Sequence, residues 1–449
     1  MMSNIQVAFD QIVGKIKPMH ATGQPPFLGG FQTLNFAPMD YMKNAHIPYC
    51  RLHDVQGAFG SNRYVDIPNI FRDFDADETD PANYDFAFTD VMIEAMYQHD
   101  LKPIFRLGVT IENQCHIKAY RIHPPKDFAK WARICEHIVR HYNEGWANGF
   151  YYNIEYWEIW NEPENGTKGH NQMWTGTPEQ YFELYDIAAK HLKKCFGDTI
   201  KVGGYGACGF CGIFYDPQKY GVDLHPIEID HKYETWMHRL NFLFDFLRYI
   251  KEHQSPIDFF SWHSYYNVQK TVIQQLFLER TLKEYGYEGL EIHMNEWNNA
   301  HDIKLVGSSC AAAGATAMLC ALHNTQLYMG CYYDTRMFAS NYCGAFDVIT
   351  RTPTPLLYGF EAFGELHLLG NQVKCDCEEE SLYAMAATNG DKKAVLIVNH
   401  SEQNRDISLN VDHTFAAHLI DETHALEKTE FNPVFFPIKA NQIVLVKNY

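Results

Sequence analysis

Residues Tyr156–Gly166 read YWEIWNEPENG, and the reading of this stretch decides the fold. Its first half, Tyr156 to Trp160, is aromatic and β-branched on both faces, the composition of a strand covered on both sides. Pro163 has no N–H to give to a ladder and pushes Glu162 away from helical dihedrals, so the strand stops there. An amide, Asn161, and a carboxylate, Glu162, are thereby left at the C-terminal end of a buried strand. In parallel sheets wrapped by helices, active sites are assembled at that end.

Working outward, runs of strand length recur at Phe27–Leu34, Ile47–Asp54, Leu101–Val109, Thr199–Gly206, Ile257–Tyr265, Leu290–Trp297 and Leu327–Asp334. Helical patterns separate them. KDFAKWARICEHIVRHY places Phe128, Trp131, Cys135, Ile138 and Tyr142 on one face. TPEQYFELYDIAAKHLKKC opens with Thr177 as N-cap, Pro178 at N1 and Gln180 at N3, a capping-box pattern. Eight strands alternating with helices predict the α/β class, a (β/α)8 TIM barrel over residues 20–366. Beyond it, LYAMAAT and KAVLIVN flank the turn NGDK as a hairpin, and FAAHLID and QIVLVKN add strands. A small antiparallel β-sandwich-like domain is expected over 367–449, with residues 3–17 contributing an edge.

The 449-residue chain carries a formal charge of −18 and no Lys/Arg run, which excludes the basic footprint of a nucleic-acid binder. No apolar run reaches the ~18 residues of a membrane span. The start shows no basic segment leading into an apolar one, so a cytoplasmic location is expected, with secretion or the periplasm reserved for a chain whose leader has been removed. Its 12 cysteines are dispersed, as free thiols are. Aromatics at 15% fit either a large core or a sugar-stacking surface. Homo-oligomerisation is left open.

Polar residues at strand ends are not explained by core packing. Strand two carries Arg51 and His53, strand six His263 and Tyr265, and strand seven ends in Asn295, Glu296 and Trp297. Two carboxylates at one mouth, Glu162 and Glu296, are what glycosidic cleavage needs: one holds a proton for the leaving oxygen while the other stays ionised. The plain alternatives are salt-bridged strand-end carboxylates, an Arg51 paired to a structural acid, satisfied core residues for His53, His263 and Tyr265, and simple packing for Trp297.

The strand-four WEIWNEP and strand-seven HMNEWNN resemble the catalytic strands of the clan A retaining glycosidases. With PPKDFAKWARICEHIVRHY, KVGGYGACG, DFFSWHSYY and GAFDVITRTPTPLLYGFEAF, the chain is similar over most of residues 25–365 to glycoside hydrolase family 39, the β-xylosidases and α-L-iduronidases. The resemblance implies an exo-acting retaining glycosidase with a glycoside or oligosaccharide substrate and neither cofactor nor metal. Glu162 would be the acid/base and Glu296 the nucleophile, their carboxyl groups ~5–5.5 Å apart. Asn161 would bind the sugar 2-hydroxyl, and Arg51, His263 and Tyr265 would surround the nucleophile. His53, Trp297 and Tyr333 complete the candidate sugar-binding set. Arg51 is expected to keep Glu296 charged, and a drier or more acidic setting to raise the pKa of Glu162.

Two departures bear on substrate. Glu164 stands where family xylosidases commonly have Asn, and YYDTRMF replaces a Trp-containing run, so Tyr332, Tyr333 and Asp334 reshape the pocket. An arabinoside, a uronide or a glucoside therefore competes with a β-xyloside. Arg106 and Arg336 are the basic groups a uronide would want, and a barrel that binds glycans without cleaving them is the rival outside catalysis. GYGACG matches a dinucleotide fingerprint but lacks a following helix. CGFC has no redox or zinc context. DFDADETD lacks the Gly and Glu of a calcium loop.

Overall fold

The computed structural model describes residues 2–29, 34–55, 65–110, 122–166, 172–337 and 341–449. Eight parallel strands close into a barrel: β1 Ala21–Gly23, β2 Tyr49–Leu52, β3 Lys102–Leu107, β4 Tyr156–Ile159, β5 Lys201–Ala207, β6 Phe259–Ser264, β7 Glu291–Trp297 and β8 Leu327–Tyr332. Each is followed by a helix: α1 Met39–Asn44, α2 Ala87–Gln98, α3 Phe128–Glu144, α4 Pro178–Phe196, α5 Tyr233–Glu252, α6 Val268–Tyr285, α7 Ser309–His323 and α8 Pro355–Leu369. The helix signals act as read. Thr177 and Gln180 form the reciprocal capping box of α4, and the buried face of α3 includes Trp131, Cys135, Ile138 and Tyr142. Among the described residues, no helix is long and apolar enough to cross a membrane.

The first strand is Ala21–Gly23, not the expected Phe27–Leu34. Leu28–Gly29 and Leu34–Asn35 pair antiparallel with each other instead. Three residues are too few to show a period, and Ala21–Gly23 is a strand because β8 and β2 hold it from both sides, through Cys331↔Ala21 and Gly23↔Arg51.

Alternation along each strand decides what faces the barrel axis. A lower apolar layer holds Tyr49, Ile104, Tyr156 and Phe259. Two residues further along three of these strands stand Arg51, Glu158 and Ser261, which meet one another inside the barrel. Strand β7 breaks its own alternation. Its register shifts after Met294 against both neighbours, so the consecutive residues Asn295 and Glu296 both reach inward, to Glu158 and Arg51. Trp297 is then turned outward. It is fully buried, with its ring 4.9 Å from Tyr332 and 6.3 Å from Phe360 of α8, which removes it from the sugar-binding set.

Beyond α8 the chain forms β9 Asn371–Asp376, β10 Leu382–Asn389, β11 Lys392–Asn399, β12 Arg405–Leu409, β13 Ala416–Ile420, β14 Ala425–Thr429, β15 Phe436–Ile438 and β16 Ile443–Lys447. The hairpin of β10 and β11 turns at the NGDK stretch as expected. The N-terminal strand Met2–Lys15 belongs to the same nine-stranded sheet but is not an edge. It runs parallel to β12 over Met2–Ile5 and antiparallel to β9 over Gln6–Lys15. The period of two sorts the side chains into two cores. Ala394, Leu396 and Val398 join the barrel core, whereas Val395 and Ile397 join a second core with Ile5, Val7, Ile407 and Ile438.

Helix α8 packs against the C-terminal end of α1 so closely that a Cβ built on Gly364 stands 2.5 Å from the Ala45 carbonyl oxygen. Backbone cannot give way as a side-chain tip can. Gly364→Ala is therefore expected to lower the thermal midpoint, losing about 1–3 kcal/mol to overpacking despite the better helix propensity of alanine. An unchanged or raised midpoint in a calorimetric scan would show that the contact relaxes freely.

Candidate active site

The mouth is organised by the buried guanidinium of Arg51 on β2. Its Nε donates to Glu158 Oε2 at 2.7 Å, its Nη2 to Asn161 Oδ1 at 2.5 Å, and its Nη1 to Glu296 Oε2 at 3.0 Å. Glu158 in turn accepts from Ser261 Oγ at 2.6 Å and Asn295 Nδ2 at 2.5 Å. Burial pushes its carboxyl up, but Arg51, Ser261 and Asn295 outweigh that and hold it below the usual carboxylate range. Glu158 is a buried member of the cluster that the motif reading passed over. Its signal was a charged residue flanked by Trp157 and Ile159 in a strand covered on both sides, which demands a buried partner.

Glu296 also accepts from the Tyr265 hydroxyl, at 2.5 Å on Oε1, so both of its oxygens are held. Glu162 follows β4 with φ +45°, its N–H donating to the Tyr205 and Gly206 carbonyls. Its Oε1 lies 2.7 Å from His263 Nδ1, and Asn165 Nδ2 donates to its Oε2 at 2.5 Å. Burial raises the Glu162 carboxyl, yet the hydrogen bond and charge of His263, with Arg239, outweigh burial and bring it below its ordinary value. This reverses the direction expected from the sequence. His263 moves the opposite way. Burial lowers it, and the charges of Glu296 and Glu162 raise it overall. Glu162 and Glu296 are each 8% exposed while Arg51, Glu158, Asn161 and His263 are at 0–1%, and Tyr265 and Asn165, half-buried, flank the two carboxylates on the solvent side.

Gly206 on β5 makes room for this convergence. A Cβ there would stand 3.1 Å from His263 Nε2 and 3.2 Å from both Arg51 Nη2 and Asn161 Oδ1, and its φ of +64° favours glycine in any case. The GYGACG stretch thus serves close packing of the mouth, and a short 3-10 turn, Cys211–Phe214, follows it.

His53 and Tyr333 line the β2–β8 side. His53 Nε2 is 3.2 Å from Asp54 Oδ1, and burial, then the nearby Arg106 and Arg51, keep the ring far below its usual pKa and so neutral. The Tyr333 hydroxyl donates to Asp54 Oδ2 at 3.2 Å and accepts from Arg336 Nη2 at 2.6 Å, and its ring lies 6.1 Å from that of Tyr265. Arg106 pairs with Asp66 at 2.7 Å and Arg336 with Asp334. Asp54, unremarked in the sequence, is pushed up to about 6 by burial, against the pull of Arg336. One atom each of Glu162, His263 and Glu296 lie within 4.8 Å of one another, close enough to grip a cation, although these groups already pair among themselves. Glu136, His191 and Cys195 on α3 and α4 come as close, with Glu136 already paired to Arg140 and in contact with His191.

The family model described as Glycosyl hydrolases family 39 matches residues 31–292. A beta-xylosidase of Geobacillus stearothermophilus is 24% identical over 247 residues, 53% of this chain and 40% of that protein. A beta-xylosidase of Caldicellulosiruptor saccharolyticus is 23% identical over 355 residues, 71% of this chain and 64% of that protein. The chain thus spans less than two thirds of either relative. Among solved structures, a glucosidase from Croceicoccus marinus superposes with a TM-score of 0.76 at 18% identity, covering 100% of this chain and 98% of that one. A GH39 beta-xylosidase from Caulobacter crescentus superposes with a TM-score of 0.67 at 15% identity, covering 99% of both. At these identities the likeness is one of fold.

The raised Asp54 carboxyl has a thermodynamic consequence. A carboxyl whose folded pKa lies above its unfolded value stabilises fully below the unfolded pKa and loses that contribution as pH rises through the folded one. Here the window runs from the ordinary value of 3.8 to about 6. Asp54→Asn is expected to gain a few degrees of thermal midpoint relative to the parent between pH 4 and pH 7. A gap that stays constant across that range would refute the assignment.

Proposed function

Because the chain belongs to glycosyl hydrolases family 39, we propose that it is a retaining, exo-acting glycosidase of β-xylosidase type, with Glu162 as acid/base and Glu296 as nucleophile. The observation that carries this reading is the convergence of an oxygen from each carboxylate, with a His263 ring nitrogen, within 4.8 Å. Double displacement uses carboxyl groups about 5–5.5 Å apart, whereas inversion needs ~6.5–9.5 Å to admit a water between them.

In the first step a Glu296 oxygen attacks the anomeric carbon, the bond to the leaving oxygen breaks, and that oxygen takes its proton from Glu162. The proton is shared across the 2.7 Å contact of Glu162 Oε1 with His263 Nδ1, so the pair supplies it as a unit. Tyr265 and Arg51 fix the attacking carboxylate in orientation. In the second step water gives its proton to Glu162 and attacks the anomeric carbon. Glu296 departs as a carboxylate, and the hydrogen bonds from Tyr265 and Arg51 strengthen as its charge returns. Arg51 holds the Asn161 carbonyl oxygen, which aims the amide NH2 at the sugar 2-hydroxyl.

The names of the two curated relatives make a β-xyloside the first substrate to try. Arg106 and Arg336 already face Asp66 and Asp334, and this weighs against a uronide, whose carboxylate would have to compete for them.

Release of p-nitrophenol from β-xyloside, β-glucoside, α-L-arabinoside and uronide substrates tests the reading. Glu296→Ala is expected to lose on the order of 10⁴-fold or more in kcat with the fold intact. Full activity in a clean preparation would sink the nucleophile assignment. Glu162→Ala is expected to cost about 10²–10⁴-fold in kcat/KM for poor leaving groups and far less for activated aryl ones. Equal losses on both would count against the acid role, and silence of the parent on every substrate would favour a glycan-binding barrel.

A further inference from the structure

The arginines around the mouth are not all engaged in the same way. Arg51 is matched to Glu158 and Glu296, Arg106 to Asp66 and Arg336 to Asp334. Arg239, in the second turn of α5, has no carboxylate at ion-pair distance among the described residues. Glu162 and Glu164 feel its charge only from further away. Its Nη2 donates to Asn165 Oδ1 at 2.9 Å, and its guanidinium lies over the Trp236 ring, 4.6 Å from the centroid. Its Nε is buried without a partner among the described residues, while the side chain as a whole and Trp236 are only partly covered. Asn165 in turn donates from Nδ2 to Glu162 Oε2 at 2.5 Å. One amide therefore links this cation to the acid/base, and Nη2 lies within about 8 Å of the Glu162 oxygen.

A partly desolvated cation without a counter-ion is costly, and a buried donor without a partner adds to the cost. Holding Asn165 accounts for neither, because a neutral amide would donate the same hydrogen bond. The charge and its aromatic platform call for a ligand, and their position says which part of it. The departing oxygen takes its proton from Glu162, so a group leaving toward solvent passes Asn165, Arg239 and Trp236.

We propose that Arg239, held flat on Trp236, is a specificity-determining residue for the leaving group and binds a carboxylate carried by the departing part of the glycoside. This rests on the glycosidase reading above and adds a substrate class to it. A guanidinium stacked on an indole keeps its N–H edge in one plane, and a planar carboxylate meets such an edge with matched hydrogen bonds. On the other side of the scissile bond Arg51, Arg106 and Arg336 already face acids, so the acidic group belongs to the part that leaves. In a chain of formal charge −18 an anion gains nothing from the overall field, and its recognition has to come from a placed cation of this kind.

The test compares 3- and 4-(carboxymethyl)phenyl β-xylosides with their carbamoylmethyl counterparts, which match them in size and in leaving ability but carry no charge. At neutral pH the parent is expected to prefer the acid over the amide by about tenfold in kcat/KM, mostly through KM, and the preference should shrink at high salt. Arg239→Gln is expected to abolish the preference. A residue that only positioned Asn165 would slow acid and amide alike and leave their ratio unchanged, which would overturn the proposal. Absence of any preference in the parent with both isomers would overturn it as well. Should Arg239→Gln fail to fold, Trp236→Leu keeps the charge but removes the platform and is expected to lessen the preference; an undiminished ratio there refutes the assignment. A β-xyloside of glucuronic acid beside one of glucose separates the two sources of the carboxylate. Preference for the acid in this pair assigns an acidic sugar, and preference confined to the aryl pair assigns an aromatic acid. Hydrolysis without preference for either acid sinks this inference alone, whereas a parent that hydrolyses no glycoside sinks the glycosidase reading.

Discussion

The guanidinium of Arg51 touches Glu158, Asn161 and Glu296, and so ties β2, β4 and β7 together inside the barrel. Taking a charge out of water costs several kcal/mol per ion, and the cost is offset only when geometry is close and every donor is engaged. Here a planar fork meets one carboxylate below, an amide beside it and a second carboxylate above. A lysine could meet one of these but not all three at once. Both proposed reacting carboxylates inherit their placement from this hub: Glu296 directly, and Glu162 through the neighbouring Asn161. The cradle depends further on Gly206, since any side chain there would press on Arg51, Asn161 and His263 together.

The electrostatics of Glu162 depart from a simple picture of a dry, acid-raised carboxyl. Burial does raise it, but His263 at hydrogen-bond distance pulls harder. The useful unit is then the pair, its Oε1 and Nδ1 2.7 Å apart and shifted in opposite directions, and the site is better described by the proton count of a cluster than by separate residues. Glu158 keeps its charge because Arg51 is beside it, and Asp54 and Glu164 are raised because no cation among the described residues sits as close. Four buried carboxyls of similar depth thus behave differently according to their nearest neighbours.

Much of this arrangement was legible in the sequence because the signals were local. Thr177 and Gln180 cap α4, and NGDK turns the hairpin, each through the covalent character of a few residues, whereas β4 stops at Ile159, ahead of Pro163, as the chain turns at Trp160 with φ +71°. What escaped was set by tertiary contact. Ala21–Gly23 has no pattern of its own and is a strand only because two neighbours hold it. The shift in β7 inverts Trp297, since strict alternation would have put Trp297 with Asn295 and turned Glu296 away. The direction of the Glu162 shift depended on a histidine about a hundred residues away in the chain, at a distance that no motif encodes. The middle of the expected Phe27–Leu34 strand, residues 30–33, and Phe338 of the YYDTRMF departure lie outside the described residues.

The N-terminal strand lies between β9 and β12, with Ile5 and Val7 in the second core beside Ile407 and Ile438. It precedes the whole barrel in the chain, and its partners follow the whole barrel. During synthesis it therefore emerges before the barrel and has nothing to pair with until some 350 residues later, when β9 appears. Its apolar alternation must wait exposed or be sheltered while the barrel closes, and the accessory sheet is completed last, as a clasp that brings both flanks of the barrel onto one face. A cut between barrel and sheet would consequently open the middle of the sheet and not trim its edge. The two layers are a single folding problem, finished only when the last strands have arrived.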